Sequence, residues 1–336
     1  MKDYGLEVLE QYDIKVKEVR KVRGAFLCDT DVGELLLCET KVSDKKTAGL
    51  ERLTTHIIHH GYSKVDSMWM NREGEWITKA GDGTRYILKQ WFLGRECDVK
   101  KEREVLEAVR NLARLHKIMK LPEEEIFEFE SNDIRDEFQR HNRELRKIRT
   151  FIRNRTGKEE FERVVLENFE EMYAWAEHAG DRLAESGYEK LVARSREEGT
   201  VVHGEYNYHN ILMTQQGIAT TNFDHFANGI QASDLYYFMR KILEKHEWNV
   251  ELGRAMMRAY QDIRPLSEEE QEYLAIRFSY PEKFWKIMNS YYNSNKAWIP
   301  EKNVEKLRIA IQQNEKKKQF LASIFSFSFI EDWCII

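Results

Sequence analysis

At 336 residues, 33% of them charged, the chain is long enough for one large domain or two lobes with a real core. Its formal net charge of −5 leaves no basic excess to neutralise phosphates, which argues against a general nucleic-acid binder. The four cysteines (Cys28, Cys38, Cys97, Cys334) show neither metal-ligand spacing nor a disulfide framework, and Met1-Lys2-Asp3-Tyr4 opens no apolar signal segment.

Residues 14–93 read mostly as strand. Short runs at 15–23, 25–30 and 34–40, separated by Gly24 and by Asp31-Val32-Gly33, have the spacing of a meander. Leu50, Leu53, Ile57 and Ile58 predict a helix over 45–60, closed by Gly61. Strands over 75–79 and 84–91 flank the turn Gly81-Asp82-Gly83. After Gly94 the pattern turns helical. An amphipathic helix is predicted over 99–117, with Val105, Val109, Leu112, Ala113 and His116 on one face. A charge-dense helical stretch follows over 123–178, interrupted near Thr156-Gly157. Its basic residues between Arg140 and Arg155 alternate with acids, as on a solvated helix face. Residues 232–318 are helical again, with Pro265, Pro281 and Pro300 marking turns. The apolar run 320–336, broken by Glu331-Asp332, falls short of the about 20 residues a bilayer span needs. It is read either as packing on the body or as docking to a membrane or partner. The expected organisation is α+β: a small, mostly-β lobe over 1–93, a large helical lobe over 94–321 that carries a loop at 203–224, and an apolar tail over 322–336.

The most informative stretch is His203-Gly204-Glu205-Tyr206-Asn207-Tyr208-His209-Asn210-Ile211-Leu212, followed by Thr221-Asn222-Phe223-Asp224 and Ser233-Asp234-Leu235. A His-Gly-acid start, an Asn five residues after the acid, a short hairpin and a second polar cluster form the layout of a kinase-like phosphotransfer loop. Such enzymes orient the attacking hydroxyl with one Asp and hold Mg²⁺ with an Asn and another Asp. His203 is expected to order the loop through hydrogen bonds. Glu205 stands at the hydroxyl-orienting position, where its extra methylene displaces the carboxylate by about an ångström, enough to cost about 100-fold in rate. Asn210 suits one metal contact. Counting back from Asp234 places Asn222 at the second metal position, with Asp224 two residues on, along the same face of an expected strand. Two neutral amides hold Mg²⁺ poorly, because a hard dication favours carboxylate oxygens.

The other site positions are weaker still. Val22-Arg23-Gly24-Ala25 lies where a glycine-rich phosphate turn belongs, but with Gly24 alone it fits an ordinary hairpin. In Leu35-Leu36-Leu37-Cys38-Glu39-Thr40-Lys41, Cys38 takes the position of the phosphate lysine and Lys41 falls on the opposite face. Glu51, which would pair with that lysine, is then expected at the surface. His56 and His60 have i,i+4 spacing without a third ligand and suit a solvated helix end. His209 and His225 flank the site positions.

The chain resembles the CotS-type spore coat proteins, a family with the fold of aminoglycoside phosphotransferases and choline kinases. The resemblance rests on Trp91-Phe92-Leu93-Gly94-Arg95-Glu96-Cys97-Asp98, Leu112-Ala113-Arg114-Leu115-His116, the loop at 203–212, Asp234-Leu235, Ser279-Tyr280-Pro281-Glu282-Lys283-Phe284-Trp285 and Tyr291-Tyr292-Asn293. It implies a two-lobed protein-kinase-like fold, a place first in the mother-cell cytoplasm and then in the spore coat, and other coat proteins as partners. Against the active pattern the chain departs at Cys38, Glu205 and Asn222. These losses favour a degenerate, pseudokinase-like scaffold for coat assembly. The alternative is an active phosphotransferase using ATP and Mg²⁺ on a small hydroxyl or amino compound or a coat protein, with Glu205 as base and Asn210 with Asp224 at the metal.

Overall fold

Apolar runs turned by glycines pair in chain order at the N-terminus, as the spacing predicts. The computed structural model describes residues 4–22, 24–122, 126–294 and 301–325. It divides into two compact units, Met1–Phe129 with Gly199–Asn228, and Glu130–Glu198 with Gly229–Ile336.

The first unit begins with helix α1 (Tyr4–Glu7) and a 3₁₀ turn at Val8–Gln11. Strands β1 (Val16–Val22), β2 (Ala25–Thr30) and β3 (Gly33–Glu39) follow, then helix α2 (Asp44–His59) and strands β4 (Met68–Trp69), β5 (Thr78–Lys79) and β6 (Arg85–Gln90). They form one antiparallel sheet in the order β1-β2-β3-β6-β4, with β5 also paired to β6. Val22 pairs with Ala25, so the β1–β2 link is a tight two-residue turn that Gly24 makes possible with φ +84°. Arg23 of that turn lies outside the described residues.

The sheet's two faces differ in kind. Phe26, Cys28, Leu35, Leu37 and Leu88 pack with Val8, Leu9 and Tyr12 into an apolar core. The other face of the central strands carries Leu36 and Cys38 of β3 beside their partners Lys89 and Ile87 of β6, because directly paired residues point the same way. The strand expected over 75–79 shrinks to Thr78–Lys79. Asn71 Oδ1 accepts from the backbone N–H groups of both Glu73 and Glu75, at 3.0 and 2.9 Å, and winds that stretch into a turn. Ser43 caps α2 through its side chain, and Leu50, Leu53 and Ile57 form the buried stripe that the sequence indicates.

The rest of this unit holds the loop. Strand β7 (Gly94–Glu96) leads into α3 (Glu102–Ile118), and after Gly199 come β8 (Val201–Val202), β9 (Ile211–Thr214), β10 (Gly217–Thr220) and β11 (Ala227–Asn228). β9 pairs on one side with β10 and on the other with β7; β8 and β11 form a short ribbon.

The second unit is helical: α4 (Ile134–Asn154), α5 (Glu160–Glu185), α6 (Tyr188–Glu197), α7 (Ala232–Leu243), α8 (Val250–Gln261), α9 (Glu268–Ser279), α10 (Glu282–Asn293) and α11 (Glu301–Phe325). The break expected near Thr156-Gly157 separates α4 from α5, and Glu159 with Glu162 closes the start of α5 with a capping box. Of the aromatics in and beside the Tyr-Pro-Glu-Lys-Phe-Trp segment, Phe278, Tyr280, Phe284 and Tyr291 are buried in the core, whereas Trp285 is half-buried and Tyr292 exposed. Phe320 of α11 is fully buried against Trp248 and Phe278, ring centroids 5.5 and 5.4 Å away. One turn before it, Lys317 is only 6% exposed and donates to the carbonyl oxygens of Ser279 and Tyr280, both at 2.9 Å. Burial pulls its ammonium down to about 7. Residues 326–336, most of the predicted apolar tail, lie outside the described residues. No described helix is long and apolar enough to cross a membrane.

Candidate functional site

The loop after β8 is built from side chains that replace regular backbone pairing. His203, fully buried, accepts the Glu205 N–H at Nδ1 (3.1 Å) and donates from Nε2 to the Thr221 carbonyl (3.0 Å). That pairing requires the neutral imidazole with its proton on Nε2. Gly204 sits at φ +80°, where a Cβ would collide with the His225 carbonyl oxygen. The carbonyl of Glu205 accepts from the side-chain amides of Asn207 and Asn210, at 3.1 and 2.9 Å. A buried polar network fastens the loop to α3. Tyr206 donates to the Ala108 carbonyl (2.7 Å), and Asn111 donates to the Tyr206 and Thr220 hydroxyls (3.1 and 3.0 Å).

Within this frame two of the three positions where the sequence departs from the active pattern, Glu205 and Asn222, meet each other. Glu205 Oε2 accepts the side-chain amide of Asn222 at 2.8 Å and lies 3.6 Å from His225 Nε2. Asn222 is not on a strand, as expected, but in the left-handed region (φ 66°, ψ 54°), followed by a 3₁₀ turn at Phe223–His225. An Asn tolerates that conformation better than most residues. The turn carries Asp224 away from Asn222 and towards β6.

There it meets Lys89, a residue outside the expected site. Lys89 is 4% exposed, and its ammonium lies 2.6 Å from Asp224 Oδ1 and 3.2 Å from Asp66 Oδ2. Burial alone would lower the ammonium's pKa, but Asp66 and Asp224 outweigh it and hold Lys89 above the ordinary lysine range. Asp66, 2% exposed, also accepts the backbone N–H of Asn222 at 2.8 Å, while its Oδ1 has no hydrogen-bond partner among the described residues. Glu51 plays no part in this cluster and instead accepts from Thr55 Oγ1 at 2.9 Å. The only signal in the sequence is Lys89 itself. It is a lysine beside Ile87-Leu88, in a strand with partners on both sides, where a charge must find a counter-ion.

Cys38 sits at the edge of the same cluster. Burial pushes its thiol up to about 11, against the pull of Lys89. Gly24 belongs to the β1–β2 turn described above. Lys46 of α2 donates to the Phe226 carbonyl at 2.5 Å and stands over the Phe226 ring, 4.5 Å from its centroid. His209 Nδ1 pairs with Glu96 Oε2 at 2.7 Å. His56 and His60 are each committed to a backbone carbonyl, of Ile118 and His56 respectively. Asn210, Asn222 and Asp224 present a poor donor set for Mg²⁺: both amides donate their N–H groups to Glu205 and leave only neutral oxygens as ligands, and the one carboxylate is already paired with Lys89.

Solved structures share this fold at low sequence identity. An aminoglycoside phosphotransferase from Alicyclobacillus acidocaldarius superposes with a TM-score of 0.84 at 18% identity, covering 95% of this chain and 94% of its own. A spectinomycin phosphotransferase, solved with ADP and spectinomycin, gives 0.66 at 9% identity over 94% of this chain and 97% of its own. Among curated proteins, the Spore coat protein S of Bacillus subtilis (strain 168) is 24% identical over 163 residues. That match takes in 48% of this chain and 46% of the relative, so the chain spans about half the length of the curated relative it matches. The model of the family described as "Spore coat putative kinase YutH" matches residues 6–324, and the chain therefore belongs to that spore coat family of kinase-like fold.

Proposed function

We propose that this chain is a coat-assembly scaffold, made in the mother cell and built into the spore coat. In this reading it keeps a kinase-type fold to bind other coat proteins and does not transfer phosphate. The observation that carries this is the 2.8 Å hydrogen bond from the Asn222 amide to Glu205 Oε2. It joins the hydroxyl-orienting position to the metal position, so that each occupies the other. Positioning and cationic stabilisation supply most of the catalysis in phosphoryl transfer, and here both groups are diverted. The kinship with a spore coat family supports the setting.

A second reading, ATP-dependent phosphotransfer, is favoured by the Lys89–Asp224 pair, since a buried ammonium is one of the charges such chemistry needs. The deciding experiment follows labelled γ-phosphate from Mg²⁺-ATP onto a coat extract or a panel of small alcohols and amines. Asp224→Asn is tested in parallel for incorporation into the coat. The scaffold reading expects no transfer and normal incorporation. Mg²⁺-dependent transfer that disappears in Asn210→Ala would refute it.

A further inference from the structure

We infer that Lys89 is the phosphate-binding lysine of this chain, supplied by β6 to the place that Cys38 leaves on β3, and that it holds a nucleoside polyphosphate without a divalent cation. Sheet register carries the first half. Leu36 pairs with Lys89 and Cys38 with Ile87, so Cys38 and Lys89 stand on the same face of adjacent strands, one residue pair apart. Lys89, Asp66 and Asp224 all act electrostatically on the Cys38 thiol. A lysine needs a carboxylate behind it to stay charged and aimed when buried. Asp66, with its side chain 3% exposed, fills that role, itself pinned by the Asn222 N–H.

The second half follows from Asp224. Its side chain is 29% exposed, against 5% for Lys89, so it caps the more open side of the ammonium. A carboxylate at 2.6 Å from Nζ occupies the place a phosphate oxygen would take, and an incoming phosphate replaces it. A divalent cation at Asp224 would have to share the carboxylate with that ammonium, whose charge repels it. The protein's own cation therefore does the work that a metal does in kinases. This concerns binding and not turnover, so it can fail while the scaffold reading stands, and the reverse.

The test is calorimetric titration of the full chain with ATP and with ADP in EDTA. The native protein is expected to bind both. Lys89→Met should weaken binding about tenfold or more, the usual worth of one charge-assisted hydrogen bond. Moving the lysine back, in Cys38→Lys/Lys89→Met, should recover most of it. Asp224→Asn, which uncaps the ammonium, should tighten binding. Because Lys89→Met strands two carboxylates, Lys89→Met/Asp66→Asn serves as the folded control with the buried pair removed together. No binding in EDTA, binding only with Mg²⁺, or undiminished binding in both Lys89→Met variants would overturn the inference.

Discussion

Lys317 makes a pH dependence of stability that can be worked out in advance. In the unfolded chain a lysine titrates near 10.4, whereas in the folded protein burial brings this one to about 7. The charged groups that act on it are Glu244 and Glu282, which favour its charge, and Arg240, which opposes it. Between these two values the unfolded chain binds the extra proton, so stability rises with pH, by at most about 1.4 kcal/mol per unit. From pH 7 to pH 9 the gain is about 2 kcal/mol, once the half-titration at pH 7 is allowed for. Lys317→Met removes this slope. It also takes a donor from the Ser279 carbonyl and one of two from the Tyr280 carbonyl, which keeps the Glu282 N–H, a cost of about 1–3 kcal/mol that does not vary with pH. Urea unfolding followed by tryptophan fluorescence should therefore show a native-minus-variant difference that grows by about 2 kcal/mol over this window. The thiols of Cys28 and Cys38, raised to about 11, and of Cys97, raised to about 12, begin to cost stability at about pH 8.5, where the unfolded thiols ionise, but they do so equally in native protein and variant and drop out of the difference. A difference that stays flat between pH 7 and 9 would refute the assignment of a neutral buried lysine.

Two further outcomes are expected. Gly204→Ala should destabilise the protein by about 2–4 kcal/mol, because the residue is left-handed and its Cβ meets backbone, while Gly180→Ala, in open space on α5, should gain about 0.5–1 kcal/mol; equal effects in urea unfolding would contradict this. Asn222→Asp should create a cation site. It replaces the amide bonded to Glu205 with a carboxylate, should raise Mn²⁺ affinity about tenfold or more by calorimetry, and should lower stability by about 1–3 kcal/mol in the absence of metal. Unchanged Mn²⁺ affinity would show that the amide was not what limits the site.

Local features were legible from the residues themselves. The glycine-turned meander, the α2 stripe of Leu50, Leu53 and Ile57, the break near Thr156-Gly157 and the His203 loop all show in patterns that span a few residues. The fold followed because such patterns, in that order, match few architectures. What stayed hidden depends on pairing across distance. Along β3 the lysine position holds Cys38, whereas Lys89, its neighbour in space, comes from β6 by a register that no single strand specifies. Asp66 lies in a stretch with no periodic pattern, and only the Asn222 N–H and Lys89 give it meaning. From the sequence Asp224 shares a strand face with Asn222; the left-handed turn at Asn222 is a backbone choice that a short polar side chain permits without demanding.

The first unit is assembled from two separate stretches of chain, and this bears on how it can be made. On a ribosome the sheet and α3 emerge early, but Glu96 must wait for its partner Leu212 and Val65 for Thr220 until all of α4, α5 and α6 have been synthesised. During that interval Lys89 and Asp66 have each other but lack Asp224 and the Asn222 N–H. Nascent chains arrested before Gly199 therefore carry an unpaired β7 strand and a half-finished ionic cluster, the state in which a chaperone has most to grip.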